Sequence, residues 1–148
     1  LGNMIGYWKN PEATKECMND EGWFRSGDLG KFDGPFLYIL DRVKDIVIRG
    51  GENIACPEVE GAIYEHDDIL EACVFGIPDE RLGEVLCAAI YLREKSTLAI
   101  DELQSFLSTR LASFKIPVNI KFYEHNLPRV GSGKFDKPSL RKQFIENM

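Results

Sequence analysis

The sequence predicts an α+β protein: one small mixed β-sheet flanked by helices, preceded by a short β-hairpin segment. Three observations carry this. Beyond Lys44 the pattern runs strand, helix, strand, strand, helix, strand, helix. Val85–Leu92 is apolar at both alternating sets of positions, as a central strand covered on both faces must be. Before Lys44, the turn signal Asp33-Gly34 separates two short strand-like runs, Leu29–Phe32 and Pro35–Leu40.

The elements follow in order. Asn10-Pro11 opens a short helix from Pro11 to Met18. Asp20-Glu21-Gly22 turns into Trp23-Phe24-Arg25, a strand-like entry. Trp8, Trp23, Phe24 and Phe36 have little local chain to bury them, so this segment is expected to pack on something larger. Ile46–Ile48 is a strand, and Pro57 suits the first turn of the next helix, where its missing N–H is not needed. Glu58 and Glu60 favour the positive end of that helix, and Val59, Ala62 and Ile63 form its apolar face. Leu70–Ile77 reads as a buried strand and Pro78–Gly83 as a loop. Asp101 with Gln104 reads as a capped helix start, and Leu103, Phe106, Leu107 and Leu111 line one face. Val118, Ile120 and Phe122 alternate with Asn119, Lys121 and Tyr123, a strand with one wet face. Gly131-Ser132-Gly133 is expected as a mobile loop, and Pro138 starts a last helix that buries Leu140 and Phe144.

Composition narrows the function classes. The 148 residues suit one ordinary domain, or a domain plus a fragment. A net charge of −6 argues against a nucleic-acid scaffold. No window approaches the roughly 18 apolar residues of a membrane span, and no basic-then-apolar leader opens the chain. The start at Leu1-Gly2-Asn3 reads as cut from a longer chain. Cys17, Cys56, Cys73 and Cys87 form no C-x-x-C pair, so neither a zinc knuckle nor a redox dithiol is suggested. Cys73 and Cys87 read as core residues, and His66 and His125 as a helix-end and a loop histidine; a cytoplasmic setting follows.

Three motifs stand in a fixed order: Gly22-Trp23-Phe24-Arg25-Ser26-Gly27-Asp28, then Asp41-Arg42-Val43-Lys44-Asp45, then Pro128-Arg129-Val130-Gly131-Ser132-Gly133-Lys134. They resemble the ribose-binding, hinge and C-terminal lysine motifs of the adenylate-forming superfamily, which includes acyl-CoA synthetases, aryl-CoA ligases, luciferases and peptide-synthetase adenylation domains. The resemblance covers essentially the whole chain. It implies that residues 1–43 are the tail of a large N-terminal adenylation domain and 44–148 a mobile C-terminal lid. The Gly50-Gly51-Glu52-Asn53-Ile54 form resembles fatty-acyl and related ligases more than luciferases. Ile48 stands where several members have Lys, and Ala55-Cys56-Pro57 where many have Tyr-Pro.

Each candidate residue has two readings. Taken alone, the Gly-Ser-Gly-Lys run favours a solvated loop lysine; it is no Walker loop, because Pro128 stands at the first Gly position and Phe135 follows the lysine. The resemblance implies instead that Lys134 stabilises the charge that builds as a carboxylate attacks the α-phosphate of ATP. Asp28 is by itself a turn acid, yet its carboxylate could accept hydrogen bonds from both ribose hydroxyls. Arg42 is a surface cation, or the family's arginine near the nucleotide. Lys44 is a charged strand edge, or the hinge about which the lid rotates. Gly50 and Gly51 make a tight turn in either case, and the family runs this loop along the CoA pantetheine. Arg81 is a solvated arginine, or a phosphate contact of the CoA nucleotide.

The expectation is therefore the C-terminal part of an acyl-CoA synthetase, inactive as a fragment. ATP and CoA would be bound together with its own N-terminal domain and an acyl substrate, and Mg²⁺ mainly by that N-terminal domain. Two alternatives stay open: an acyl-AMP ligase that loads a carrier protein, and a stand-alone binding module without catalysis.

Overall fold

A computed structural model of the protein describes residues 2–146. Leu1, where the sequence reads as cut, lies outside them. The chain divides into two compact units, Leu1–Lys44 and Asp45–Met148.

In the first unit, α1 (Pro11–Cys17) starts where Asn10 accepts the Ala13 N–H through its side chain at 3.0 Å. The stretch Trp23–Arg25 makes only an isolated bridge, Met18 with Phe24. Strands β1 (Asp28–Asp33) and β2 (Phe36–Arg42) pair antiparallel. Their turn is Gly34-Pro35, one residue later than Asp33-Gly34. Pro35 is locked at negative φ, so Gly34, at φ +57°, takes the positive-φ position that opens a type II′ turn. None of this unit's described residues is buried, and Trp8, Trp23, Phe32 and Phe36 are widely exposed. A two-stranded ribbon without a core has little to stabilise it alone.

The second unit runs β3 (Val47–Arg49), β4 (Glu52–Ile54), α2 (Cys56–Tyr64), β5 (Ile69–Asp79), β6 (Gly83–Leu92), α3 (Ile100–Ser108), a 3₁₀ turn at Ser113–Lys115, β7 (Asn119–Tyr123) and α4 (Lys137–Glu146). Strand β6 is the centre. Antiparallel β5 lines one edge; parallel β7 lines residues 87–91 of the other, and β3 joins at Gly83. The sheet is thus mixed, and its neighbours in solved structures place it in the α+β class expected.

Four details depart from the sequence expectation. Glu52–Ile54 is a strand, because Gly50 and Gly51, at φ +59° and +89°, reverse β3 in a two-residue hairpin. Glu52 and Asn53 are poor strand formers, so their local preference hid it. The loop at 78–83 shrinks to Glu80–Leu82, since Pro78 pairs with Glu84 on an edge strand, where its missing N–H is tolerated. Helix α3 is capped at Ala99, whose N–H is accepted by the Glu102 carboxylate at 3.0 Å; Asp101 is not the cap. The wet face of β7 is partly covered, as Tyr123 packs below the sheet and donates its hydroxyl to Gln143 at 2.9 Å.

The strand alternation feeds two cores. Val74, Leu86 and Ile90 face α2 and α3, with Val59, Ile63, Leu103 and Leu107. Phe75, Ile77 and Cys87 face α4, where Phe144 meets Phe75 edge-on at 5.1 Å. The outer edge of β5 is closed by side chains of α2. The Tyr64 hydroxyl accepts the Ala72 N–H at 2.9 Å, and Glu60 accepts the Val74 N–H at 2.8 Å. Backbone groups that would invite another strand are thereby paired.

Candidate functional site

Lys134 sits on a hairpin formed between β7 and α4. Arg129 and Phe135 bridge its legs, and the Val130 N–H donates to the Lys134 carbonyl at 2.9 Å. Gly131-Ser132-Gly133, expected as a loose loop, closes the end: the Gly133 N–H reaches the Val130 carbonyl at 2.8 Å. Gly133 holds φ +82°, the left-handed position of a three-residue hairpin loop. Lys134 follows at once and is exposed.

The hairpin is fastened on both sides. The Arg129 guanidinium contacts Glu71 of β5 at 2.8 Å, donates to the Gly133 carbonyl at 2.7 Å and stacks on Phe135 at 4.2 Å. The second carboxylate oxygen of Glu71 accepts the Leu127 N–H at 2.7 Å. Three residues beyond Lys134, the Lys137 ammonium lies 3.9 Å from Glu60 of α2. Helix α4 begins there, with Asp136 accepting the Ser139 N–H at 3.1 Å.

These groups surround a concavity of about 580 Å³ lined by Asp45, Glu60, Arg129, Lys134 and Lys137 among others. Burial pushes the pKa of Lys137 down, but negative charge at Cys56, Glu60, Cys73 and Asp45 more than offsets this and holds it above its ordinary value. Burial pushes the Cys73 thiol up to about 12, so at neutral pH Cys73 is uncharged and Glu60 and Asp45 are the carboxylates that act on Lys137. Arg129 and Lys137 are thus committed to carboxylates. Among the described residues no carboxylate lies within ion-pair reach of Lys134, which makes it the cation available to a ligand.

At the far end of β3, the Gly50 N–H donates to the Leu82 carbonyl at 2.8 Å. This bond joins the Gly50-Gly51 turn to the Glu80–Leu82 turn, which is held by the Asp79 carboxylate accepting the N–H groups of Arg81 and Leu82 at 3.0 and 2.8 Å. Gly50, Gly51 and Arg81 are exposed and brought together. Asp45, which lines the Lys134 concavity, is five residues upstream of Gly50. Extended chain of that length spans at most about 17 Å, so the two places are distinct parts of one unit.

In the first unit, Asp28 and Arg42 face each other across β1 and β2, Nε to Oδ1 at 3.4 Å. Arg42 and Lys44 also line an open concavity of about 490 Å³ with Arg25, Ser26 and Tyr7. Lys44 is exposed, in a turn, and is the last residue of its unit.

The sequence reading missed Glu60, Glu71, Arg129 and Lys137 as site residues. Glu71 did carry a signal: a carboxylate inside the apolar run Ile69–Ile77 needs a partner. Arg129 lay within a motif already noted. Burial also pushes the Cys87 thiol up to about 11, so neither Cys73 nor Cys87 is a nucleophile at neutral pH. Among the described residues no group of three or more His, Cys, Asp or Glu could hold a metal ion, so Mg²⁺ is assigned to none of them. No described helix is long and apolar enough to cross a membrane.

A sheet carrying an exposed lysine hairpin near one end of β3 and a double-glycine turn at the other defines the accessory domain of an AMP-binding enzyme. The chain belongs to that family: the model of the AMP-binding enzyme C-terminal domain matches residues 58–134, just over half of it. A feruloyl-CoA synthase of an Amycolatopsis species is 44% identical over 142 residues, 95% of this chain and 28% of the relative. The medium-chain fatty-acid–CoA ligase of Escherichia coli is 42% identical over 148 residues, 98% of this chain and 26% of that enzyme. The ATP-bound structure of MatB from Rhodopseudomonas palustris superposes with a TM-score of 0.86 at 36% identity, over 95% of this chain and 28% of MatB. The chain therefore spans just over a quarter of the length of these relatives.

Proposed function

We propose that this chain is the C-terminal part of an AMP-forming acyl-CoA synthetase. The intact enzyme joins a carboxylic acid to ATP: a carboxylate oxygen attacks the α-phosphorus, and the bond to pyrophosphate breaks. The thiol of CoA then attacks the acyl carbon, AMP leaves with the carboxyl oxygen, and the thiol proton is released. The observation that carries this reading is the separation of two exposed places on one unit. An uncommitted ammonium stands near one end of β3, and a double-glycine turn beside Arg81 stands at the other.

Lys134 serves the first step. Its ammonium sits between the carboxylate and the α-phosphate, where charge builds in the transition state. Gly50 and Gly51, lacking Cβ atoms, let the pantetheine chain approach the backbone for the second step, and Arg81 contacts a CoA phosphate. Lys44 is the hinge between the two arrangements; its exposure at the end of the first unit supports this. Asp28 holds the ribose, with Arg42 beside it. The coreless, aromatic-rich residues 1–43 are the tail of the large adenylation domain, which supplies the Mg²⁺ and acyl sites. Nothing in these residues forms an acyl pocket, so the fragment alone is inactive.

The acid is read as a fatty acid, on the Gly-Gly-Glu-Asn-Ile form and the likeness to a medium-chain ligase. A relative named for feruloyl-CoA matches as well, so a panel of fatty and aromatic acids decides this. Free CoA against an acyl carrier protein separates the synthetase from a carrier-loading ligase. The central test is Lys134→Ala in the full-length enzyme. Adenylation is expected to fall by about a hundredfold or more, in line with loss of one transition-state donor. Thioester formation from supplied acyl-AMP is expected to stay within about threefold. Equal loss in both half-reactions removes the division of roles.

A further inference from the structure

The proposal concerns four residues that flank Lys134 without being ligand groups, and it rests on the role just given to that lysine. Arg129 lies five residues before Lys134, and Lys137 three residues after it. Each is engaged by a carboxylate from the sheet side of the unit, Glu71 of β5 and Glu60 of α2. Both carboxylates are mostly buried, with side chains 12% and 20% exposed. Each also accepts a backbone N–H, Leu127 for Glu71 and Val74 for Glu60, which fixes the carboxylate before it meets its cation. Arg129 further holds the Gly133 carbonyl and covers the Phe135 ring, so it touches the residues on either side of Lys134.

We propose that Glu71–Arg129 and Glu60–Lys137 form a two-point clasp that positions the Lys134 ammonium for adenylation. The four are positioning residues and act through Lys134. A hairpin of seven residues held by one bridge and two turn hydrogen bonds is free to tilt on its base. The two ion pairs remove that freedom at both legs. Because Lys134 carries a long flexible stem, the direction in which its backbone launches it decides where the charge arrives. A displacement of about 1 Å at a reacting group is enough for a rate loss on the order of a hundredfold.

The experiment is a double-mutant cycle in the full-length enzyme, with Arg129→Met and Glu60→Gln each alone and each combined with Lys134→Ala. Glu60→Gln keeps an acceptor for the Val74 N–H. Each single variant is expected to lower kcat of adenylation by about tenfold to a hundredfold. KM for ATP is expected to change less than about threefold, and thioester formation from supplied acyl-AMP to be retained. In the Lys134→Ala background neither substitution is expected to lower adenylation further. Full additivity, or single variants with wild-type adenylation, overturns the clasp. Loss of both half-reactions in both variants also overturns it, because that outcome marks a purely structural role. If Lys134→Ala itself adenylates like wild type, the parent reading fails instead, and the single variants report that separately.

Discussion

Gly133→Ala tests whether the hairpin conformation, rather than the mere presence of a lysine, is what matters. Gly133 holds φ +82°, and a Cβ built on it meets nothing within 4 Å. The substitution therefore adds no clash, only the backbone penalty of a left-handed residue with a side chain, about 1–2 kcal/mol. Gly131 is the control: its φ is not positive, and its Cβ also meets nothing within 4 Å. The hairpin is an exposed, local structure closed by two turn hydrogen bonds, so the penalty acts on the hairpin rather than on the two cores. A bias of that size against the native loop lowers its population by roughly fivefold to thirtyfold. The full-length Gly133→Ala enzyme is expected to adenylate slower by about that factor. Gly131→Ala is expected to stay within about twofold, and thioester formation from supplied acyl-AMP to be unaffected in both. Equal rates for Gly133→Ala and Gly131→Ala would refute the reasoning.

Two further expectations follow. Arg81→Gln in the full-length enzyme should raise KM for CoA by about tenfold, as loss of one charged phosphate contact implies, with ATP–pyrophosphate exchange unchanged. A normal KM would remove Arg81 from the CoA site. The second is an alkaline loss of stability. Cys73 and Cys87 hold their protons in the fold to about 12 and 11, against 9.0 for an ordinary thiol. The unfolded thiols ionise first, so the stability they contribute is complete below pH 9.0 and is lost as pH rises through the folded values. At about pH 10.5 each contributes a loss of roughly 2 kcal/mol. Lys137, whose pKa is raised, acts in the same direction as pH passes through its folded value. Urea melts of the Cys73→Ala/Cys87→Ala double variant at pH 8 and about pH 10.5 should show a shallower loss than the parent; parallel losses would count against it.

The α+β class, the central strand and the helix faces were legible in the order of residues because they are local or periodic. Apolar residues on both alternations of 85–92 imply a covered strand whatever its neighbours are. Lys134, Gly50-Gly51 and Asp28 stood out because their motifs are contiguous. The β4 strand was not legible, since its pairing follows from a turn and not from Glu52 and Asn53 themselves. The II′ turn at Gly34-Pro35 needed the strand register to reveal which residue took positive φ.

What only the tertiary structure decided is which charges are spent and which are free. In sequence, Arg129, Lys134 and Lys137 are three similar cations within nine positions. Packing brings Glu71 and Glu60, more than fifty residues upstream, onto two of them and leaves the third in solvent. Ion pairing depends on distances across the fold, and no local preference encodes those. The same holds for the bond from Gly50 to Leu82, which unites two turns that the chain keeps thirty residues apart. Local chemistry chose the elements, while burial and long-range contact selected the residues left able to meet a ligand.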